Sequence, residues 1–108
     1  MDEKEFMAAA DAELARIEAG LEKALDDGVV DFDFEIKPGG IIEIELANGS
    51  KIIVNRHAAA REIWLAAKSG GFHFRPDAGR WIGTRDGVEL VAALSRALSE
   101  QAGARVEL

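Results

Sequence analysis

The residues with the most chemical potential are carboxylates. Asp11, Glu18 and Glu22 recur at helical spacing. At 3.6 residues per turn they fall within about 40° of one another, on one shoulder of a helix. Asp26 and Asp27 follow near its end, where the backbone dipole is already negative and acids are unfavourable. Asp31, Asp33 and Glu35 then alternate with Phe32, Phe34 and Ile36, which projects them from one side of a strand. Residues 1–35 hold 12 acids against 3 bases, within a chain of net charge −7. Clustered oxygen donors with no His or Cys beside them suit hard cations: iron, calcium, magnesium or manganese. An open, wet row of them predicts weak and unselective binding. The plainer alternative is a solubilising charged face.

A second candidate is Trp64. It lies between Ile63 and Leu65 in an alternating segment, so burying its neighbours turns it outward, beside Ile53 and Asn55 of the preceding strand. An exposed tryptophan among apolar and amide groups is a favoured protein-contact anchor. On this reading its truncation costs little stability. Arg56, Arg61, Arg75, Arg80 and Arg85 give this part of the chain a positive bias.

Other chemistries are poorly supported. The 108 residues contain no cysteine, hence no thiolate nucleophile and no cysteine-ligated metal. His57 and His73 are isolated in sequence, and Ser50, Ser69, Ser95 and Ser99 lack a nucleophile-elbow context. Carboxylates on a convex, wet surface have nothing to raise their pKa, so an enzyme is not expected. The negative charge disfavours nucleic acid and anionic membrane. No apolar run approaches the roughly 20 residues of a membrane span, and the acidic start is unlike a targeting signal. A cytoplasmic monomer forming a single domain over residues 1–108 is expected.

The positioning elements can be read from periodicity. Phe6, Ala10, Leu14, Ile17, Leu21 and Leu25 predict a helix over 3–26, stopping at Gly28. Strict alternation predicts a strand over 31–36 with Phe32, Phe34 and Ile36 inward. Lys37-Pro38-Gly39-Gly40 turns into a strand over 41–46. A three-residue loop, Ala47-Asn48-Gly49, then keeps the faces consistent by setting Ile44 opposite Ile52, Ile42 opposite Val54 and Glu45 opposite Lys51. Strands follow over 62–66, 72–75 and 80–84. Asp86 is predicted to cap a second helix, with Glu89 as its capping-box partner and Gly103 as its stop. Val106 and Leu108 form an apolar tail suited to packing between the helices. Helix, meandering strands and helix together predict an α+β fold: a two-layer α–β sandwich with both helices on one face of an antiparallel sheet. The other face stays wet and carries every outward residue named above.

The runs Asn48–Arg56 and Ile63–Phe74, with Trp81, Asp86-Gly87 and the Glu5-Phe6 start, resemble the bacterial frataxins, and the resemblance covers almost the whole chain. It implies weak, reversible binding of iron (Fe2+/Fe3+) by an acidic ridge, here Glu18, Glu22, Asp26, Asp27, Asp31 and Asp33. It implies protein contacts through that ridge and through a sheet surface including Asn55 and Trp64. The implied partners are a cysteine desulfurase and the scaffold on which iron–sulfur clusters are built. The expected role is a regulator or adaptor of cluster assembly; the alternative is an iron chaperone or store delivering ferrous iron. Where family ridges often carry adjacent acidic pairs, Ala19 follows Glu18 and Lys23 follows Glu22 in this chain.

Overall fold

A computed structural model describes residues 1–108. The first helix, α1 (Glu3–Asp27), starts on Asp2, whose side chain accepts from the Glu5 amide while Glu5 reaches back to the Asp2 amide. This closes a capping box. It ends on Gly28, whose φ of 70° is the left-handed geometry that glycine adopts without strain. Six strands follow: β1 (Phe32–Lys37), β2 (Ile41–Leu46), β3 (Lys51–His57), β4 (Glu62–Ala67), β5 (Gly70–Asp77) and β6 (Arg80–Gly83). They form one antiparallel meander in sequence order, with β1 and β6 at the edges. The last element is α2 (Leu90–Ala102).

Alternation fixes which side of each strand meets the helices. Ile42, Ile44, Ile52, Val54, Ile63, Leu65 and Phe74 are at most 1% exposed and join Phe6, Ile17 and Leu21 of α1 and Leu90, Leu94 and Leu98 of α2 in one core. The ring of Trp81 meets that of Phe6 edge-on, with centroids 5.8 Å apart. The hairpin register is the one the sequence predicts, with Ile44 opposite Ile52, Ile42 opposite Val54 and Glu45 opposite Lys51. The apolar tail also packs as expected. Val106 is buried, and its amide and that of Leu108 donate to Ser99 Oγ and Ser95 Oγ at 2.8 and 3.0 Å. Gly20 leaves room for the final residue: a Cβ there would lie 3.3 Å from Leu108 Cβ.

Two expectations need correction. Ile36 is on the core side of β1 by phase, yet it is half exposed. It lies toward the far end of an edge strand. Asp86 does not cap α2. An isolated bridge between Ile82 and Glu89 holds the chain extended to Glu89, so the helix starts at Leu90 without a side-chain cap. Asp86 instead accepts from the Val88 amide at 3.1 Å within the connecting turn, and Glu89 pairs with Arg80 at 2.8 Å.

Candidate functional site: an acidic edge and an aromatic sheet face

The acidic residues are carried by two layers. In the helix layer, α1 holds Glu18 half-buried and Glu22, Asp26 and Asp27 exposed. The short connection through Gly28 brings Asp31 alongside β1, also exposed. In the sheet, Phe32 turns into the core, so Asp33 and Glu35 project from the open face. Their cross-strand partners are Glu45 and Glu43. Like charges placed directly opposite each other are unfavourable, so four carboxylates share this corner at a local cost.

Salt bridges decide which carboxylates are free. Glu18, Glu22, Asp26, Asp27, Asp31 and Asp33 pair with no cation. Asp11, a member of the predicted metal set, differs from these six in having a cationic partner. Arg56, on the helix-facing side of β3, reaches up and pairs with it, tying α1 to the sheet. Arg56 can do this because its stem runs across Gly40, where a Cβ would come within 2.6 Å of Arg56 Cδ. Glu43 is neutralised too, by Lys37 and by Lys51 at 2.9 Å. Hydrogen bonds from Lys37 and then Lys51 hold its carboxyl down at about 2, and the same contacts raise both lysines. Glu13 differs: burial raises its pKa, Arg16 partly offsets this, and Glu89 adds to it.

No three acidic or imidazole side chains converge on one point. The free carboxylates therefore offer an extended field of oxygen donors. That donor set fits a hard, hydrated cation held loosely, and it equally fits a basic protein surface.

The open sheet face carries a more ordered arrangement. Registers of β3 on β4 and β4 on β5 place Asn55, Trp64 and His73 in one row and bring His57 opposite Glu62. The Trp64 ring is stacked between His57 and His73, with centroid separations of 3.9 and 4.6 Å and ring planes within 12°. Trp64 does face outward, as the alternation predicts, but it is half-buried because an imidazole covers each face. Glu62 sits beneath, only 6% exposed. Its Oε1 accepts from Trp64 Nε1 at 2.9 Å and lies 3.2 Å from His73 Nδ1, while Oε2 accepts from Arg75 Nε at 3.1 Å. Burial pushes the Glu62 carboxyl up. The hydrogen bonds from Trp64 and Arg75, with the charges of His73 and Arg75, outweigh burial and leave it lowered. Sequence reasoning missed Glu62, His57 and His73; only the strand registers bring them together.

A meandering antiparallel sheet backed on one face by two helices makes this a small two-layer α–β sandwich. A frataxin-like domain profile matches residues 1–104. The chain is 56% identical to the iron-sulfur cluster assembly protein CyaY of Dechloromonas aromatica, over all of this chain and 99% of the relative. It is 55% identical to that of Cupriavidus taiwanensis, over 96% and 93%. Among solved structures, frataxin from Psychromonas ingrahamii superposes with a TM-score of 0.81 at 28% identity, covering 99% of this chain and 97% of the other. A trimeric frataxin from Saccharomyces cerevisiae, complexed with ferrous iron, gives 0.74 at 26% identity, covering 88% and 86%. The chain belongs to the bacterial frataxin (CyaY) family.

Proposed function

We propose that this protein is an iron-binding regulator or adaptor of iron–sulfur cluster assembly that docks on a cysteine desulfurase and on the scaffold protein. The observation that carries the reading is the set of six carboxylates, on α1, in the α1–β1 connection and on β1, that no Lys or Arg pairs with. Desolvating unpaired like charges is costly unless a partner brings opposite charge, so this set is suited to a basic protein patch and to hydrated ferrous or ferric iron. Asn55 and Trp64, on the open face of the same sheet, supply the second contact. Support comes from relatives named iron-sulfur cluster assembly proteins and from a structural neighbour complexed with ferrous iron. The carboxylates lie on an open surface with no confined reaction site, which favours a binding role over an enzymatic one. The protein is proposed to act in the cytoplasm as a monomer, without nucleic acid or membrane.

The ferrous complex of the yeast neighbour also favours an iron-delivery reading. The two separate in one experiment. Replacing Glu18, Glu22, Asp31 and Asp33 with Lys in the full chain abolishes desulfurase binding in a pull-down if the adaptor reading holds, with circular dichroism unchanged. Retained binding by this variant, together with loss of tight ferrous binding, favours delivery instead.

A further inference from the structure

The open sheet face can be read at the level of individual nitrogen atoms. Both faces of the Trp64 indole are occupied by imidazoles. The indole therefore has no free π-face for a partner ring; what it offers is its edge. The polar contacts around it also assign the two histidine tautomers. His57 Nδ1 accepts from the Ala60 amide at 3.3 Å, so in neutral His57 the proton is on Nε2. His73 Nδ1 stands 3.2 Å from Glu62 Oε1, and a carboxylate can only accept, so Nδ1 of His73 carries the proton. In neutral His73, Nε2 is then a bare acceptor. That side chain is about half exposed.

We infer that Glu62 is the positioning residue of an ordered three-ring slab, His57–Trp64–His73, which docks its partner by the rim and not by stacking. The rim reads donor, apolar edge, acceptor: His57 Nε2–H, the indole edge and His73 Nε2. It fits a scaffold segment that places an apolar side chain on the indole edge, with a hydrogen-bond acceptor on the His57 side and a donor on the His73 side. Glu62 acts without touching the partner. Its Oε1 alone fixes both the indole, through Nε1–H, and the His73 tautomer. Pre-organisation of this kind lowers the ordering cost of binding. The inference rests on the proposed docking of the sheet face to the scaffold.

The test uses the full chain and purified scaffold protein. Glu62→Met keeps side-chain length while removing the acceptor of Trp64 Nε1 and the carboxylate partner of His73 and of the solvent-exposed Arg75. Glu62→Gln keeps one oxygen for Trp64 and His73 and gives up the contact with Arg75. Affinity is read by calorimetry, and histidine tautomers by long-range 1H–15N NMR. Expected are an affinity at least tenfold weaker for Glu62→Met, recovery to within threefold for Glu62→Gln, and mixed His73 tautomers in Glu62→Met only. In the native protein, scaffold addition shifts His57 Nε2 and His73 Nε2, a readout that needs no variant to fold. Unchanged affinity in Glu62→Met with loss in Trp64→Ala overturns the slab but leaves docking standing. Unchanged affinity in Trp64→Ala overturns both.

Discussion

Truncating Trp64 to alanine separates three descriptions of the open sheet face. If the indole were simply exposed, the change would fall within about 0.5 kcal/mol. If it were core, it would cost about 3–5 kcal/mol. The structure gives an intermediate sum. Two stacked contacts, at 3.9 and 4.6 Å, contribute about 0.5–1.5 kcal/mol each. The indole hydrogen bond to Glu62 adds about 1 kcal/mol, because Arg75 and His73 still satisfy the carboxylate after its loss. Trp64→Ala should therefore cost about 2–4 kcal/mol, a fall in Tm of about 9–18 °C for a domain of this size. Urea unfolding followed by far-UV circular dichroism measures it without relying on tryptophan emission. Trp64→Phe keeps a ring between the imidazoles and loses only the hydrogen bond, so it should cost about 1 kcal/mol. A loss below about 0.5 kcal/mol would refute the stack, and one above about 4 kcal/mol would refute the placement of Trp64 on the outer side.

Acid should weaken the fold through Glu43. Its carboxyl is held at about 2 in the folded protein, below its ordinary 4.5, so the stabilisation is present above pH 4.5 and disappears as the pH falls toward 2. Glu43→Gln should flatten that part of the stability–pH curve in chemical denaturation. Glu13 has the opposite sign: burial raises its pKa, so its ionised form burdens the fold at neutral pH, and Glu13→Gln should raise Tm at pH 7 but not at pH 3. Asp11→Asn should leave ferrous binding, measured by anaerobic calorimetry, within twofold of the native protein, because Arg56 already occupies that carboxylate.

Much of the architecture was legible because a strand's side chains alternate with a period of two. In the β2–β3 hairpin only one loop length keeps Ile42, Ile44, Ile52 and Val54 on the same side, and that is the register observed. Phase does not say what covers a residue, which is why Ile36 was expected inside. The capping expectation at Asp86 failed because a local motif was outcompeted by a nonlocal bridge from Ile82 to Glu89. The acidic edge was legible as composition. Its pairing was not: Asp11 and Arg56 are 45 residues apart, and only the packing of α1 on β3 joins them. The slab was the least accessible part. Its four residues come from three strands, and neither histidine has a sequence neighbour that hints at a ring between them.

The claim on which the functional account depends is that one set of unpaired carboxylates meets both iron and a basic partner. The most direct measurement is NMR mapping of the full chain, titrated separately with ferrous iron under anaerobic conditions and with the purified desulfurase. The account predicts that both titrations perturb Glu18, Glu22, Asp26, Asp27, Asp31 and Asp33, and that iron displaces the desulfurase or weakens its binding. Perturbations confined to different surfaces, or an iron effect centred on the Lys-paired Glu43, would contradict it.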